Sequence, residues 1–491
     1  MTETASAGGP SADPLDTAAA GPAAVRGGAV RVGGYLAGVA LSVVASAFLF
    51  RHLGLVRSGE YGQAIALAAI AGGVSDLGLT SVGLRELSVV SGEARDRLAQ
   101  SLLGLRLVLS ILGVIAITGF AASVSYPSAL VLGVAFGGVG LIFQSWQSTL
   151  SLSMLRDLRV GWVAGLEFAR VLLTAVFIVS LVAAGAGLLP FLAVPVPVGV
   201  IVLAMNAWAV RGRLSLHPSF HAEEWRRVIR AVLPFSASVA ASTLYFYIAV
   251  PVVGLAANAH QVGYFTVSAR TIQVLTSVPG LAVGTALPIF ARAARDDRVR
   301  LSYAIGRVFE VCLMLGVWVA LCLTIGASLA IKLIGGATFS AAATPLAIQS
   351  IGLGFTFVSV VLTTALLSLE RYRVILAMNI VALLGGTTLI ALLASTSGAR
   401  GAAIGTAVDE GVLALMNVVA LARADRTLAP PLRILPAVAA AAGAATLTTL
   451  IQLPVAASVA LASAVYLAVL LVFRAIPQEV LEHLPPPLRR G

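Results

Sequence analysis

The chain has 491 residues, 59% of them hydrophobic and only 11% charged, and its mean hydropathy is +0.99. An average soluble domain carries roughly 25% charge, so a water-facing fold of this composition is excluded: it lacks the polar side chains to cover its own surface, a need that a bilayer removes. The net charge of +11 does not indicate nucleic acid, because the arginines sit in short loops between apolar runs and form no patch or stripe.

Residues 1–28, rich in Ala, Gly, Pro and Ser with Glu3, Asp13 and Asp16, read as a disordered cytoplasmic tail. No basic stretch precedes a short hydrophobic core there, so a cleaved signal peptide is not expected. Apolar runs of about 20 residues then recur without the alternation of barrel strands. They predict an all-α polytopic integral membrane protein of about fourteen transmembrane helices. These fall near 33–52, 61–82, 101–122, 128–153, 161–185, 188–210, 231–257, 262–290, 304–330, 342–368, 372–395, 400–422, 433–452 and 455–474. Tyr126-Pro127, Gly185-Ala186-Gly187, Gly335-Gly336, Ser397-Gly398 and Pro454 supply breaks. Gly133 with Gly137, and Gly161 with Gly165, have the small-xxx-small spacing of closely packed helices. Cys312 and Cys322 lie ten apart on one predicted helix, cannot bridge, and read as small buried hydrophobes. No spacing suits a metal and no Walker motif is present, so no metal or cofactor is expected.

Loop charge orients the helices. Of the 32 basic residues, 24 fall on the side of the N-terminus, four (Arg51, Arg57, Lys332, Arg400) on the other, and Arg106, Arg170, Arg270 and Arg307 within helices. By the positive-inside rule both termini are cytoplasmic. The chain also repeats weakly. Leu53-Gly54 and Glu60-Tyr61-Gly62 are echoed by Val253-Gly254 and Val262-Gly263-Tyr264. Duplication of this kind marks transporters with a site between the repeats. The expected organisation is an N-terminal lobe of helices 1–6 (29–210), a cytoplasmic linker (211–230) and a C-terminal lobe of helices 7–12 (231–423). Helices 13–14 (424–474) and a cytoplasmic tail (475–491) follow. The linker's basic residues flank Glu223-Glu224 and suggest an amphipathic segment on the membrane surface.

The repeat markers, with Asp76-Leu77-Gly78-Leu79, Leu84-Arg85-Glu86-Leu87, Leu287-Pro288, Phe339-Ser340 and Gly398-Ala399-Arg400-Gly401-Ala402-Ala403, carry a resemblance. Their order and spacing are similar to those of the polysaccharide transporters, or O-antigen flippases. That family belongs to the multidrug/oligosaccharidyl-lipid/polysaccharide exporter superfamily. The likeness covers residues 30–423 and extends less firmly to 474. It implies a flippase that moves an undecaprenyl-pyrophosphate-linked glycan from the inner to the outer leaflet of the cell membrane. The implied partners are that lipid-linked glycan and the bilayer. Membrane glycosyltransferases or a polymerase are candidates at the cytoplasmic loops.

Such a task needs a polar cavity open to each face in turn and a cation for the pyrophosphate. Arginine's planar fork suits phosphate and stays charged, and ionisable residues within spans normally point inward. At 1.5 Å per residue, Arg170 and Arg270 each lie roughly 12 Å from a helix entrance. Arg106 and Arg307 lie nearer the cytoplasmic face, where snorkelling is the simpler reading. Arg270 is the best pyrophosphate candidate, with Arg170, Arg106 and Arg307 behind it. Glu167–Arg170 and Arg307–Glu310, each three apart, can also be self-neutralised pairs. Asp409 and Glu410, with Asp76, Glu167 and Glu310, are candidates for proton or sodium coupling; helix–helix bonding or capping is the plain alternative. Gln144, Trp146, Gln147, Tyr245, Tyr247 and Gln273 are candidates to line a sugar cavity, and interfacial anchoring explains the aromatics equally well.

Three other functions compete. An exporter of small cationic drugs would need carboxylates more than arginines in its cavity. A membrane glycosyltransferase or polymerase would need surface carboxylates and large outer loops, yet Glu60 is nearly alone outside. A non-transporting scaffold is the third.

Overall fold

The computed structural model describes residues 20–475 except 81–82, 84–85, 88–91, 125, 157–158, 212–216 and 285. Most of the two expected tails, Leu84-Arg85 and the middle of the expected linker lie outside the described residues.

Every regular element described is helical. In chain order they are α1 (Ala20–Asp76), α2 (Gly92–Ser123), α3 (Ser128–Arg156), α4 (Val160–Ala183), α5 (Leu188–Ala193) and α6 (Pro195–Ala209). The second half holds α7 (Ala222–Tyr247), α8 (Ala249–Ala256), α9 (Ala259–Gly284), α10 (Leu287–Asp296), α11 (Arg298–Ile334), α12 (Ala343–Ser368), α13 (Tyr372–Ala424), α14 (Leu435–Leu447) and α15 (Val455–Val472). Short 3-10 turns, such as Ala337–Ala342, join some of them.

Among the described residues, ten helical stretches are long and apolar enough to cross a membrane. Counting the pair bent by 49° between α7 and α8 as one span makes eleven. The fourteen predicted helices are thus not fourteen separate elements. Predicted helices 33–52 and 61–82 are two arms of α1, joined at Gly54 (φ 72°). Predicted helices 372–395 and 400–422 are two arms of α13, joined at Gly398 (φ 56°). Both glycines hold positive φ, which costs an L-residue strain and glycine none. The amide freed at the second break does not go unpaired: Ala399 N donates to Gln261 Oε1 on α9 at 2.9 Å. The α9 helix, bearing His260, Gln261, Arg270 and Gln273, is too polar to count as a span by composition.

Helices up to α6 pack largely on one another, as do those from α7 onward. The halves meet where the second arm of α1 runs along α7, α8 and α9. Glycine lines this seam from both sides. A Cβ on Gly59 would lie 3.0 Å from the Gly263 amide nitrogen; one on Gly62 would strike Thr266, and one on Gly73 would strike Thr243. From the other side, Gly254 lies against Gln63 and Gly263 against the Leu55 carbonyl. Backbones approach this closely in lipid only where side chains are absent. The repeat markers Gly62, Gly254 and Gly263 therefore sit at the contact between the halves. The second break itself falls at Ala257, just beyond Gly254.

Polar contacts hold both ends of the seam. Ser236 Oγ donates to the Leu77 carbonyl at 2.8 Å. At the opposite end, Arg51 Nη2 donates to the carbonyls of Leu333 (2.6 Å) and Lys332 (3.2 Å) in the last turn of α11. There an apolar cluster joins Leu49, Phe50 and Leu192 of the first half to Ile331, Phe339 and Leu346 of the second.

Two expectations change. Gly133 and Gly137 do pack closely, against Leu192 and Ala68. Gly161 and Gly165 do not: nothing lies within 4 Å of their Cβ positions, and they line an open groove of about 550 Å³ with Trp162 and Met205. The spacing is the same, but the face of α4 that carries it has no helix against it. The segment before α7 also lies against protein: Ser219 N donates to the Gln100 carbonyl on α2 at 2.9 Å, and Trp225 approaches Gly104.

Gly263→Ala should lower thermal stability in detergent by about 1–3 kcal/mol, because the facing Leu55 carbonyl is backbone and cannot rotate away. Gly443→Ala, with nothing within 4 Å, is the control and should be neutral or slightly stabilising.

Candidate functional site

The charges within the helices sort into four groups. The first is Arg106 on α2, 1% exposed. Its Nη2 contacts Asp76 Oδ1 in an ion pair and Thr80 Oγ1 at 2.5 Å. Its Nη1 donates to the Ser145 carbonyl and to Thr149 Oγ1, each at 3.1 Å. Thr80 Oγ1 donates in turn to Asp76 at 2.7 Å. The snorkelling reading of Arg106 is therefore wrong. Acceptors from α1 and α3 surround the guanidinium, and reaching for the surface would abandon all of them. Asp76, expected as a coupling candidate, is committed to this network.

The second group is Arg307 on α11, which pairs with Glu310 at 2.9 Å and stacks on Tyr303, its guanidinium carbon 5.2 Å from the ring centre. Arg433 reaches the other Glu310 oxygen at 3.9 Å. The Glu310 side chain is only 7% exposed, so two arginines bracket one buried carboxylate.

The third group comprises an ion pair on α4 and an arginine on α9. Arg170 on α4 pairs with Glu167 at 2.7 Å, and both side chains are open, 36% and 52% exposed. Arg270 on α9 donates to Gln273 Oε1 at 2.7 Å and makes a long 3.5 Å contact to Ser42 Oγ on the first arm of α1. Among the described residues Arg270 has no ion pair. Tyr247, at the end of α7, lies within electrostatic reach of both Arg270 and Arg170, and Tyr61 within reach of Arg270.

The fourth group is acidic and belongs to the second half. Tyr245 Oη donates to Glu410 Oε1 at 2.9 Å, and Thr356 Oγ1 donates to Glu410 Oε2 at 2.9 Å. Asp409, 8% exposed, occupies the space that a side chain on Gly386 would fill. Nearby, Asn379 Nδ2 donates to Ser242 Oγ at 2.6 Å. So α7, α12 and both arms of α13 meet around two carboxylates whose bonding partners are hydroxyls. Neither carboxylate has an ion pair among the described residues.

Other predicted lining residues separate. Gln273 stays with Arg270. Gln147 is buried between α3 and α6, where Asn206 Nδ2 donates to its carbonyl (3.0 Å) and to Ser151 Oγ (2.8 Å). Gln144 is half-buried on α3. Trp146 packs into the apolar cluster with Val198 and Val202. Sequence reasoning missed Tyr61, Ser42 and Thr356. Tyr61 stood inside a repeat marker, which was the available signal. Ser42 and Thr356 are ordinary helix residues with none.

The family model for polysaccharide biosynthesis proteins matches residues 54–344, a stretch that includes the seam, Arg106, Arg170 and Arg270. The chain belongs to the polysaccharide biosynthesis protein family. Among the described residues, ten apolar helical stretches of membrane-spanning length make it a multi-pass membrane protein. Its fold is similar to the lipid II flippase MurJ in an inward closed conformation, with 12% identity and a TM-score of 0.77. The match covers 90% of this chain and 98% of that one. It is also similar to an inward-facing multidrug resistance MATE family transporter of the MOP superfamily, with 18% identity and a TM-score of 0.58 over 80% and 96% of the two chains. An outward-facing MATE structure matches at 18% identity and a TM-score of 0.53, over 79% and 92%. No curated protein matches by sequence. Among the described residues, then, Arg270 without an ion pair lies on a helix of the contact between the halves, and the acidic pair lies within the second half.

Arg106→Ala should destabilise the folded protein by about 3–5 kcal/mol, because it leaves Asp76 facing a polar pocket without its cation. The double variant Arg106→Gln/Asp76→Asn should recover most of the loss. Thermal unfolding of the purified proteins measures both.

Proposed function

We propose that this protein carries an undecaprenyl-pyrophosphate-linked oligosaccharide from the inner to the outer leaflet by alternating access, for cell-surface polysaccharide synthesis. Arg270, deep in a predicted span and without an ion pair among the described residues, supports this most directly. A cation deep in a span is tolerated where it faces water or an anion. Arg270, bonded only to neutral groups, keeps its full charge for a phosphate. Arg170 keeps Glu167 until a stronger anion arrives. The two phosphates of a pyrophosphate call for two guanidinium forks, and Arg170 is the candidate for the second. The glycan would occupy the wet space beside them, and the polyprenyl tail would stay in lipid.

In this reading the halves are two pseudo-symmetric lobes that rock about the glycine seam. Fourteen crossings with both termini cytoplasmic are supported by the arms of α1 and α13, the bent pair α7–α8, the polar α9 and the loop-charge asymmetry. Contact of Arg270 with Ser42 is long enough to be given up when the lobes part. Coupling falls to Asp409 and Glu410. Burying a carboxylate without a counter-charge is costly, so a proton or a cation must accompany each, and changing that occupant gives the second lobe two states.

Deleting the gene should leave the lipid-linked glycan accumulating on the cytoplasmic leaflet; normal surface glycan without accumulation would count against the proposal. At equal expression, Arg270→Ala should lower flipping at least tenfold, in line with about 1.5–3 kcal/mol for a charged hydrogen bond, and Arg270→Lys should retain part of it. Full transport by Arg270→Ala would remove that residue from the mechanism. Glu410→Gln should leave substrate binding in place and abolish dependence on the coupling ion.

A further inference from the structure

A charged cavity lies outside the seam. It is a groove of about 620 Å³ between the end of α12 and the two arms of α13, and no residue of the first half lines it. Arg371, Arg373 and Arg423 form its rim; Met378, Met416 and Val419 are among its apolar walls. All three arginines are exposed, and none has an ion pair among the described residues. The neighbouring acids do not neutralise them. Glu370 forms no ion pair there, and Asp425 directs Oδ1 to Thr427, accepting from its amide at 2.9 Å and its hydroxyl at 2.7 Å.

We infer that this groove is a binding site for an anionic phospholipid, its phosphate held by the three arginines and one acyl chain lying along the Met378–Met416–Val419 wall. The argument is charge complementarity joined to depth. Three cations cluster where α13 begins and ends, at the membrane face of the basic loops. A lone phosphate would satisfy the rim and leave the apolar groove to water, whereas a zwitterionic lipid would fill the groove and bring its own cation against the rim. Only a lipid with net negative charge satisfies both. The volume falls within the range of about 300–1,000 Å³ usual for ligand sites. Bound there, the lipid would tie together the two arms of α13, the helix that carries Asp409 and Glu410. The site does not depend on the proposed flippase activity; only its assignment to the inner leaflet shares the orientation above.

The test is a lipid titration of the purified full-length protein followed by native mass spectrometry, using dioleoyl phosphatidylglycerol and dioleoyl phosphatidylcholine. Phosphatidylglycerol should bind at least about tenfold more tightly, as three arginines near one phosphate imply. The triple variant Arg371→Gln/Arg373→Gln/Arg423→Gln should erase the preference. Val419→Trp, which fills the groove and keeps every charge, should weaken phosphatidylglycerol binding about tenfold, and it decides the matter should the triple variant fail to fold. Equal affinity for the two lipids, or unchanged binding by Val419→Trp, would overturn the proposal. So would glycerol phosphate binding as tightly as the lipid, or a polyprenyl phosphate displacing phosphatidylglycerol at equal concentration, since the groove would then hold free phosphate or the lipid carrier.

Discussion

The close approach of two backbones is the constraint on which the rest of this fold depends. In lipid, apolar side chains gain nothing by leaving their surroundings for another helix, so association rests on packing and on polar contacts. The second arm of α1 meets this condition with Gly59, Gly62 and Gly73, and the facing helices meet it with Gly254 and Gly263. Small residues along one arm make most of the contact a seam, and an apolar cluster of larger side chains joins the halves at the Arg51 end. The halves keep their own interiors on either side: α3 against α6 in the first, α11 to α13 in the second. A seam of this kind suits bodies that must move as units.

Charge burial follows the same division. The first half encloses Arg106 with Asp76, Thr80, Ser145 and Thr149, a set complete enough to act as a strut between α1, α2 and α3. The second half encloses Glu310 between Arg307 and Arg433. In each network the buried charge is met by an opposite one. What is unbalanced is placed elsewhere: an arginine at the seam without a carboxylate, and carboxylates in the second half without a cation. Unbalanced charge in a membrane is expensive and is kept where a ligand or ion completes it. In the proposed mechanism cargo and coupling would separate, the cargo between the halves and the coupling ion inside one of them, linked through α7, which carries both Tyr245 and Tyr247.

The sequence by itself determined the class and the general plan. Apolar runs long enough for lipid dictate an all-helical multi-pass chain, because no other open structure satisfies its backbone there. The glycine markers and the Gly398-Ala399 motif were legible because positive φ and close approach admit almost nothing but glycine. The i, i+3 pairs Glu167–Arg170 and Arg307–Glu310 were legible because helix geometry alone brings them together.

Only the tertiary structure decided the fate of charges whose partners are far apart in sequence. Arg106 and Thr149 are 43 residues apart, and Tyr245 and Glu410 are 165 apart; no periodicity encodes such pairs. Depth along a helix suggested that Arg106 snorkels, but depth says nothing about which face a neighbouring helix covers. The same gap explains Gly161 and Gly165, whose spacing matches Gly133 and Gly137 while their surroundings do not. Local patterns follow from the backbone of one helix and can be read from its residues; the enclosure of a side chain depends on a second and third helix, and that arrangement exists only once the chain has packed.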